Sequence, residues 1–319
     1  MASPNATFTE IVTSTLRKHD TMVADNVSAH NALYSRLKKK GQITKVSGGY
    51  EIVKPLDYAE NSTYQRYSGF DTLNISASDV LSAARYDWMQ AAINITSSGR
   101  ELRMNAGEEA IFSLARARVK NAIRTAANNM SVDLYSDGAL SNQMGGLQHI
   151  LTNDGTGTVG GIIAGTYTWW KNQFFEATAT VTKSNIKGFM NSLWLLTTRG
   201  TDSTDLIVST IDFFSAYWES LQDLQRYASA DTAEAGFTAL KYVNADVIHD
   251  VNSNATSTGK RMYFLNTDYL DLTVHSAANW TQLEDRISVN QDAVVIPLLW
   301  MGNLVCSNRA RQGVLIDAA

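Results

Sequence analysis

Gly155-Thr156-Gly157-Thr158-Val159-Gly160 has the spacing of a cofactor motif. In a dinucleotide-binding protein, a G-x-G-x-x-G run lets the backbone approach a pyrophosphate at a helix N-terminus, and an acid about 20 residues on binds the ribose. Glu176 stands at roughly that distance. The chemistry needs a buried strand before the glycines and a helix after them. Here polar Thr152-Asn153-Asp154 comes before, and Gly161 to Thr168, interrupted by Gly165, makes a poor helix. The run therefore reads as a glycine-rich surface loop, with nucleotide binding as the alternative.

Other reactive groups are scattered. His19, His30, His149, His249 and His275 form no H-E-x-x-H and no close metal pair, and His249-Asp250 is an isolated dipeptide. No G-x-S-x-G elbow and no G-x-x-x-x-G-K-[ST] phosphate loop occurs. Glu108-Glu109 is explained by a helix start, where negative charge is favourable. Cys306 is the one cysteine, so an intrachain disulfide is excluded and a reducing compartment fits. A nucleophilic thiol needs a histidine partner, and none is near in sequence, so Cys306 reads as a buried small apolar residue. No catalytic, cofactor-binding or metal residue is assigned.

Composition narrows the class. Of 319 residues, 44% are hydrophobic and 18% charged, as in a folded protein. A single core rarely grows past about 250–300 residues, so two sub-domains or an elongated body are expected. A net charge of -4 argues against a surface devoted to nucleic acid. Met1 to Glu10 is polar and lacks a secretory pattern, and no apolar run is long enough to span a bilayer. Triplets such as Asn61-Ser62-Thr63 and Asn254-Ala255-Thr256 arise by chance in a chain rich in these residues.

The elements follow from periodicity. Phe8, Ile11, Val12 and Leu16 give a short helical face. Asn26 or Ser28 would cap a second helix in which Leu33 and Leu37 share a face, Lys38, Lys39 and Lys40 complement the C-terminal dipole, and Gly41 stops it. The lysines alternatively touch nucleic acid or a neighbour. Ile43, Val46, Tyr50, Ile52 and Val53 flank Ser47-Gly48-Gly49, a turn between strands, and Pro55 breaks the run. Tyr58, Tyr64, Tyr67 and Phe70 then dot a polar stretch. That texture suits an extended β-arm packing on another subunit, or a loop folded on its own domain.

From Asn105 to Tyr135, Ile111, Ala115, Val119, Ala122, Ala126 and Met130 form one apolar stripe of a helix about 25 residues long, ended by Asp137-Gly138. Arg116, Lys120 and Arg124 form a second, basic stripe, either solvated or ion-paired, or in contact with subunits or DNA. Further helices are expected at Lys183–Thr198, Ser209–Arg226 and Asp231–Tyr242, and strands at Leu206–Val208, Arg261–Leu265, Ala293–Leu299 and Asn303–Ser307. Trp169-Trp170, Phe174 and Phe175 read as core or interface aromatics. There is no internal repeat and no regular βα alternation, so the class is α+β.

The order of these segments resembles the major capsid proteins of tailed bacteriophages, the Hong Kong 97-type shell fold, from about Gln42 to Leu315. Gly48-Gly49-Tyr50-Glu51-Ile52, Pro55-Leu56 and Tyr67-Ser68-Gly69-Phe70-Asp71 look like the extended loop. Ser98-Gly99-Arg100-Glu101 and Asn105-Ala106-Gly107-Glu108 look like the entry to a spine helix, and Leu134-Tyr135-Ser136-Asp137-Gly138 like its exit. Gly145-Gly146-Leu147 and Thr158-Val159-Gly160-Gly161-Ile162 resemble the start of an axial domain, and Trp300 to Arg311 the closing strands.

The resemblance implies an N-terminal arm (1–41), an extended loop (42–76), a peripheral domain with the spine helix (77–137), an axial domain (138–290) and closing strands (291–319). It implies a non-enzymatic shell subunit without cofactors, forming homo-hexamers and homo-pentamers around double-stranded DNA. It also implies a virion location after assembly in a host bacterial cytoplasm, a separate scaffolding protein and a portal, and no membrane. Tyr50, Tyr58, Tyr64, Tyr67 and Phe70 become candidates for contacts between subunits. Lys45 and Lys54 lie in the loop, but nothing marks a partner for covalent crosslinking. The alternatives are an encapsulin-like compartment shell, a cytosolic nucleotide-binding enzyme, and a phage tail or decoration component.

Overall fold

A computed structural model describes residues 31–104, 108–222, 240–254, 259–282, 286–287 and 292–317. In chain order they form α1 (Ala32–Lys40), β1 (Ile43–Val46), β2 (Ile52–Asp57), β3 (Leu81–Tyr86), β4 (Met89–Ser98), α2 (Gly99–Met104), α3 (Glu108–Leu134), α4 (Leu147–Ile150), β5 (Thr158–Val159), β6 (Ile162–Ile163), β7 (Gln173–Glu176), α5 (Ile186–Thr197), β8 (Leu206–Ser209), α6 (Ile211–Gln222), β9 (Leu240–Tyr242), β10 (Ala245–His249), β11 (Arg261–Leu265), β12 (Leu270–Gln282), β13 (Arg286–Ile287), β14 (Ala293–Cys306) and β15 (Gly313–Ile316). The class is α+β, as expected. Two compact units result. One holds Gln90–Ser131 and Ala277–Trp300; the other holds Asn31–Met89, Val132–Ser276 and the chain from Met301 on.

In the first unit, β4 and β13 pair with β14. The strand β4 alternates, with Ile95 inward beside Ala122 of α3 and Leu298 of β14. Trp280 packs on this cluster and stacks on Trp300, ring centroids 6.3 Å apart. The helix α3 has 27 residues, and Ala122, Ala126 and Met130 recur every fourth residue on its buried face. The short helix α2 is started by a reciprocal box: Glu101 N donates to Ser98 Oγ (3.3 Å), and Ser98 N to Glu101 Oε2 (3.2 Å). The Arg118 guanidinium, 2.8 Å from Glu101, holds that carboxyl below the usual carboxylate range.

The second unit is built on a six-stranded sheet, order β7-β15-β11-β8-β10-β9. The pairs β7/β15 and β8/β10 are parallel and the others antiparallel. Every residue of β8 is buried, the pattern of a strand covered on both faces. Met262 and Phe264 of β11 join Ile186, Met190 and Leu193 of α5 and Phe213 and Tyr217 of α6 in the main core. Each such side chain contributes about 1.5–3 kcal/mol on burial. Tyr263 lies 6.3 Å from Tyr135, whose hydroxyl donates to the buried Asp250.

Asn31 is the N-cap of α1, its Oδ1 accepting from Tyr34 N at 2.8 Å; Asn26 and Ser28, expected in that role, lie outside the described residues. Leu33 and Leu37 are fully buried, and Gly41 stops the helix at φ 73. Of the lysine run, Lys40 pairs with Asp205 (2.6 Å) and Asp268 (3.2 Å). The first expected helix (Phe8 to Leu16), His19 and His30 lie outside the described residues.

Four sequence readings need correction. Ser47-Gly48-Gly49 closes no hairpin, because β1 runs parallel to β12 whereas β2 pairs with β3. Pro55 sits inside β2, opposite Ala83. A two-stranded ribbon leaves each strand one open edge, where a missing N–H costs no ladder bond. The expected strands Ala293–Leu299 and Asn303–Ser307 are one continuous strand, β14. The helix expected at Asp231–Tyr242 ends in β9, paired antiparallel with β10, and 231–239 lie outside the described residues.

His149 yields a prediction at the end of α3. It packs against Gly138 and Gly145, and burial, then the charge of Arg309, pushes its imidazole below the ordinary value of 6.5. The unfolded chain therefore takes up this proton first as pH falls. The stability His149 confers is complete above pH 6.5 and is lost as pH drops toward its folded value. The melting temperature of the parent should fall more steeply between pH 7 and 5 than that of His149→Gln. Parallel profiles would remove His149 as the cause.

Candidate functional site

The glycine motif is a hairpin. Thr158 and Val159 pair with Ile163 and Ile162, leaving Gly160-Gly161 as the two turn residues, at φ 60 and 73. Two positive φ angles define the tight turn that suits right-twisted strands, and glycine adopts them without strain. No helix follows, since β6 comes next and then a short 3-10 turn, Thr168–Trp170. Gly160 also fills a close approach: a Cβ there would lie 2.8 Å from Ala84 Cβ and 3.1 Å from the Tyr86 ring. The loop is held by Arg309, fully buried, which donates to Ile150 O, Thr152 Oγ1 (3.0 Å) and Thr156 O (2.8 Å). Burial pushes its guanidinium down to about 10. Glu176 is an exposed residue of β7. This geometry removes the argument for a nucleotide site at the motif.

The remaining reactive groups have structural settings. Cys306 is fully buried, and burial raises its thiol to about 12, so it carries no thiolate near neutrality. His249 packs on Phe214 and His275 on Trp88. Among the described residues no group of three or more His, Cys, Asp or Glu could hold a metal ion, and no helix is long and apolar enough to cross a membrane.

The aromatic segment is different. Strands β2 and β3 form an antiparallel ribbon, Ile52 opposite Tyr86 through Asp57 opposite Leu81. Ile52, Leu56, Ala84 and Tyr86 are buried, so the ribbon's base is firmly seated. Between the strands, the chain braces itself through short polar bonds. Tyr58 N donates to Val80 O, Gln65 Nε2 to Thr72 O (2.9 Å), Asn74 N to Gln65 Oε1 (3.1 Å), and Ser68 N to Asp71 Oδ2 (2.8 Å). This scaffold holds large apolar side chains in solvent: Phe70 is fully exposed, Ile75 93%, Tyr64 80% and Tyr67 64%; Tyr50, ahead of β2, is 95% exposed. Exposed apolar groups gathered on one loop are a general feature of interaction surfaces.

Of the five candidates, Tyr58 alone is half-buried. It stacks on Trp169 at 5.2 Å, with its hydroxyl on Asp79 O. Trp169 also meets Tyr167, which is half-exposed, at 6.2 Å. Trp170 turns inward and donates to Val159 O. From sequence Trp169 reads as a core or interface aromatic; only the fold brings Tyr58 to it. Sequence reading also missed Arg309, for which no local pattern exists. Leu195, Leu196, Ile211 and Trp218 are exposed on α5 and α6.

The basic stripe lies on α3. Lys120 is exposed, and Arg124 is half-buried and not free of partners. The side chain of Arg116 lies outside the described residues.

No protein-family model matches the chain, and no curated protein matches it by sequence. Its fold is nevertheless shared with solved shell proteins. The capsid of cyanophage A-1(L) superposes with a TM-score of 0.69 at 12% identity, covering 93% of this chain and 95% of that one. The holo-SrpI encapsulin complex of Synechococcus elongatus PCC 7942 gives 0.61 at 8% identity over 99% and 96%. The capsid of a native GTA particle gives 0.60 at 12% identity over 100% and 96%. The chain has the Hong Kong 97-type fold.

Proposed function

We propose that this chain is the shell-forming subunit of a tailed-bacteriophage capsid, a structural protein and not an enzyme, assembling into homo-hexamers and homo-pentamers around double-stranded DNA. The observation that carries the proposal is the self-braced loop with Tyr64, Tyr67, Phe70 and Ile75 in solvent, on a fold shared with capsid proteins. In this reading residues 1–41 are the N-terminal arm, 42–76 the extended loop, 77–137 the peripheral domain, 138–290 the axial domain and 291–319 the closing strands. The particle assembles in the host bacterial cytoplasm with a separate scaffolding protein and a portal.

The test is electron microscopy and size-exclusion chromatography of the purified, concentrated full chain. Closed shells, rings or hexamers are expected. A small dimer or tetramer that binds nucleotide would sink the proposal. The likeness to the encapsulin complex supports a second reading, a cellular compartment shell. Contents separate the two: nucleic acid in particles from infected cells favours the virion, a co-purifying enzyme the compartment.

Arg116, Lys120 and Arg124 fit a face toward neighbours or packaged DNA. Reversing all three charges should lower particle yield or DNA retention, and the difference from the parent should shrink as salt rises, since such contacts are screened. Unchanged particles and packaging would leave a solvated face.

A further inference from the structure

Helix α1 is tied to its unit largely by charge. Its apolar grip is Ala32, Leu33 and Leu37. Nine residues are too few for a helix to hold itself, since isolated helices shorter than about 12–15 residues are marginal in water. Two buried leucines do not offset the entropy of ordering nine residues. The rest comes from a row of anchors four residues apart. Ala32 N donates to Asp250 Oδ2 (3.3 Å), and Arg36 pairs with Asp246 (2.9 Å). Lys40 pairs with Asp205 (2.6 Å) and with Asp268 (3.2 Å). Residues four apart share a helix face. One stripe of α1, from its positive N-terminal end to its last cation, therefore meets a carboxylate at every turn.

This acidic track is built into the body. Asp250 is buried and also accepts from the Tyr135 hydroxyl and from Asn252 N. Asp246 is buried and shared with Lys241. Asp205 accepts from Thr267 N and Thr267 Oγ1, both at 2.7 Å. None of these bonds involves α1, so the track keeps its shape without the helix. The chain beyond α1 is fixed too, because Leu272 N donates to Gln42 O at 2.9 Å. Between the fixed strand and the charged helix stands Gly41, at φ 73, with open space where a Cβ would be. A pivot there meets no obstacle.

We propose that α1 is a strap that opens as a unit at Gly41 while the six-stranded sheet stays folded, and that ionic strength sets how often it opens. Closing brings Arg36, Lys40 and the helix N-terminus onto the preformed track Asp250, Asp246 and Asp205. Salt screens that attraction, and Leu33 and Leu37 are too little to replace it. The inference goes beyond the shell reading and does not depend on it.

Hydrogen–deuterium exchange of the full chain tests it, at 0.1 M and 1 M NaCl. Across that range the Debye length falls from about 10 Å to about 3 Å. Amides of Leu33 to Lys40 should exchange roughly tenfold faster at the higher salt, whereas those of β11 should not change. Arg36→Gln with Lys40→Gln should show the fast exchange already at 0.1 M and lose the salt response. Lys38→Gln removes a charge from the exposed side of the same helix and should behave as the parent. Exchange in α1 that ignores salt, or that occurs only together with β11, overturns the strap. So does a double variant indistinguishable from Lys38→Gln. A double variant that fails to fold would show fast exchange in β11 as well, and the salt response of the parent then decides.

Discussion

Phe70→Asp combined with Ile75→Asp should give a chain that folds as the parent does and, under the proposed function, should form no shells. Both side chains are exposed in the monomer, Ile75 at 93% and Phe70 completely. Surface substitutions of this kind usually shift stability by about 0.5 kcal/mol or less. Buried against a neighbour, each would contribute about 1.5–3 kcal/mol. Losing both removes roughly 3–6 kcal/mol per contact, about 100-fold to 10,000-fold in its association constant, repeated at every interface. The measurement is thermal unfolding beside particle counts. An unfolded variant would place the loop in a core; a variant that assembles normally would remove the loop from the interface.

The second large effect is on folding itself. Gly146 lies where the chain turns back onto the end of α3. A Cβ there would sit 2.4 Å from both Asp133 O and Ser136 N, backbone atoms that cannot swing aside. The same place is tied by Ser136 Oγ, which accepts from Gly146 N and donates to Met144 O. Gly146→Ala should cost about 3 kcal/mol or more, at the upper end for overpacking. Gly188, inside α5 with open space around its Cα, is the control. Gly188→Ala should raise stability by about 0.5–1 kcal/mol, as helix propensity dictates. Equal melting temperatures for Gly146→Ala and the parent would refute the close packing at this turn.

The parts legible in the sequence are those written in local periodicity. The helix α3 announced itself through Ala122, Ala126 and Met130, and β11 through an apolar run of strand length. The exposed loop was legible because aromatics stood in a polar, coreless stretch. What escaped depends on distant partners. The strand β12 begins with a strongly buried segment, Leu270 to Val274, but continues through Ser276, Ala277, Ala278 and Asn279, which carry little strand preference. Leu240 and Tyr242 look helical until β10 pairs with them. Tyr58 could not be told from Tyr64 without knowing that Trp169 lies beside it. The glycine motif misled for the opposite reason: its spacing is shared by a hairpin and a phosphate loop, and only the following element decides.

The position of β15 in its sheet bears on how the protein is made. Gly313–Ile316 is the last of the six strands in chain order, yet it lies inside the sheet, parallel to β7 and antiparallel to β11. While the ribosome is still adding residues, at about 5–20 per second, β7 and β11 wait with open edges for a partner not yet translated. Parallel pairing across so much chain is slow to form. The nascent body is thus exposed to edge-to-edge aggregation until its final strand arrives, a window in which chaperones would set the yield. A chain terminated early would lack that strand, and so would not complete the sheet that gives the unit its rigidity.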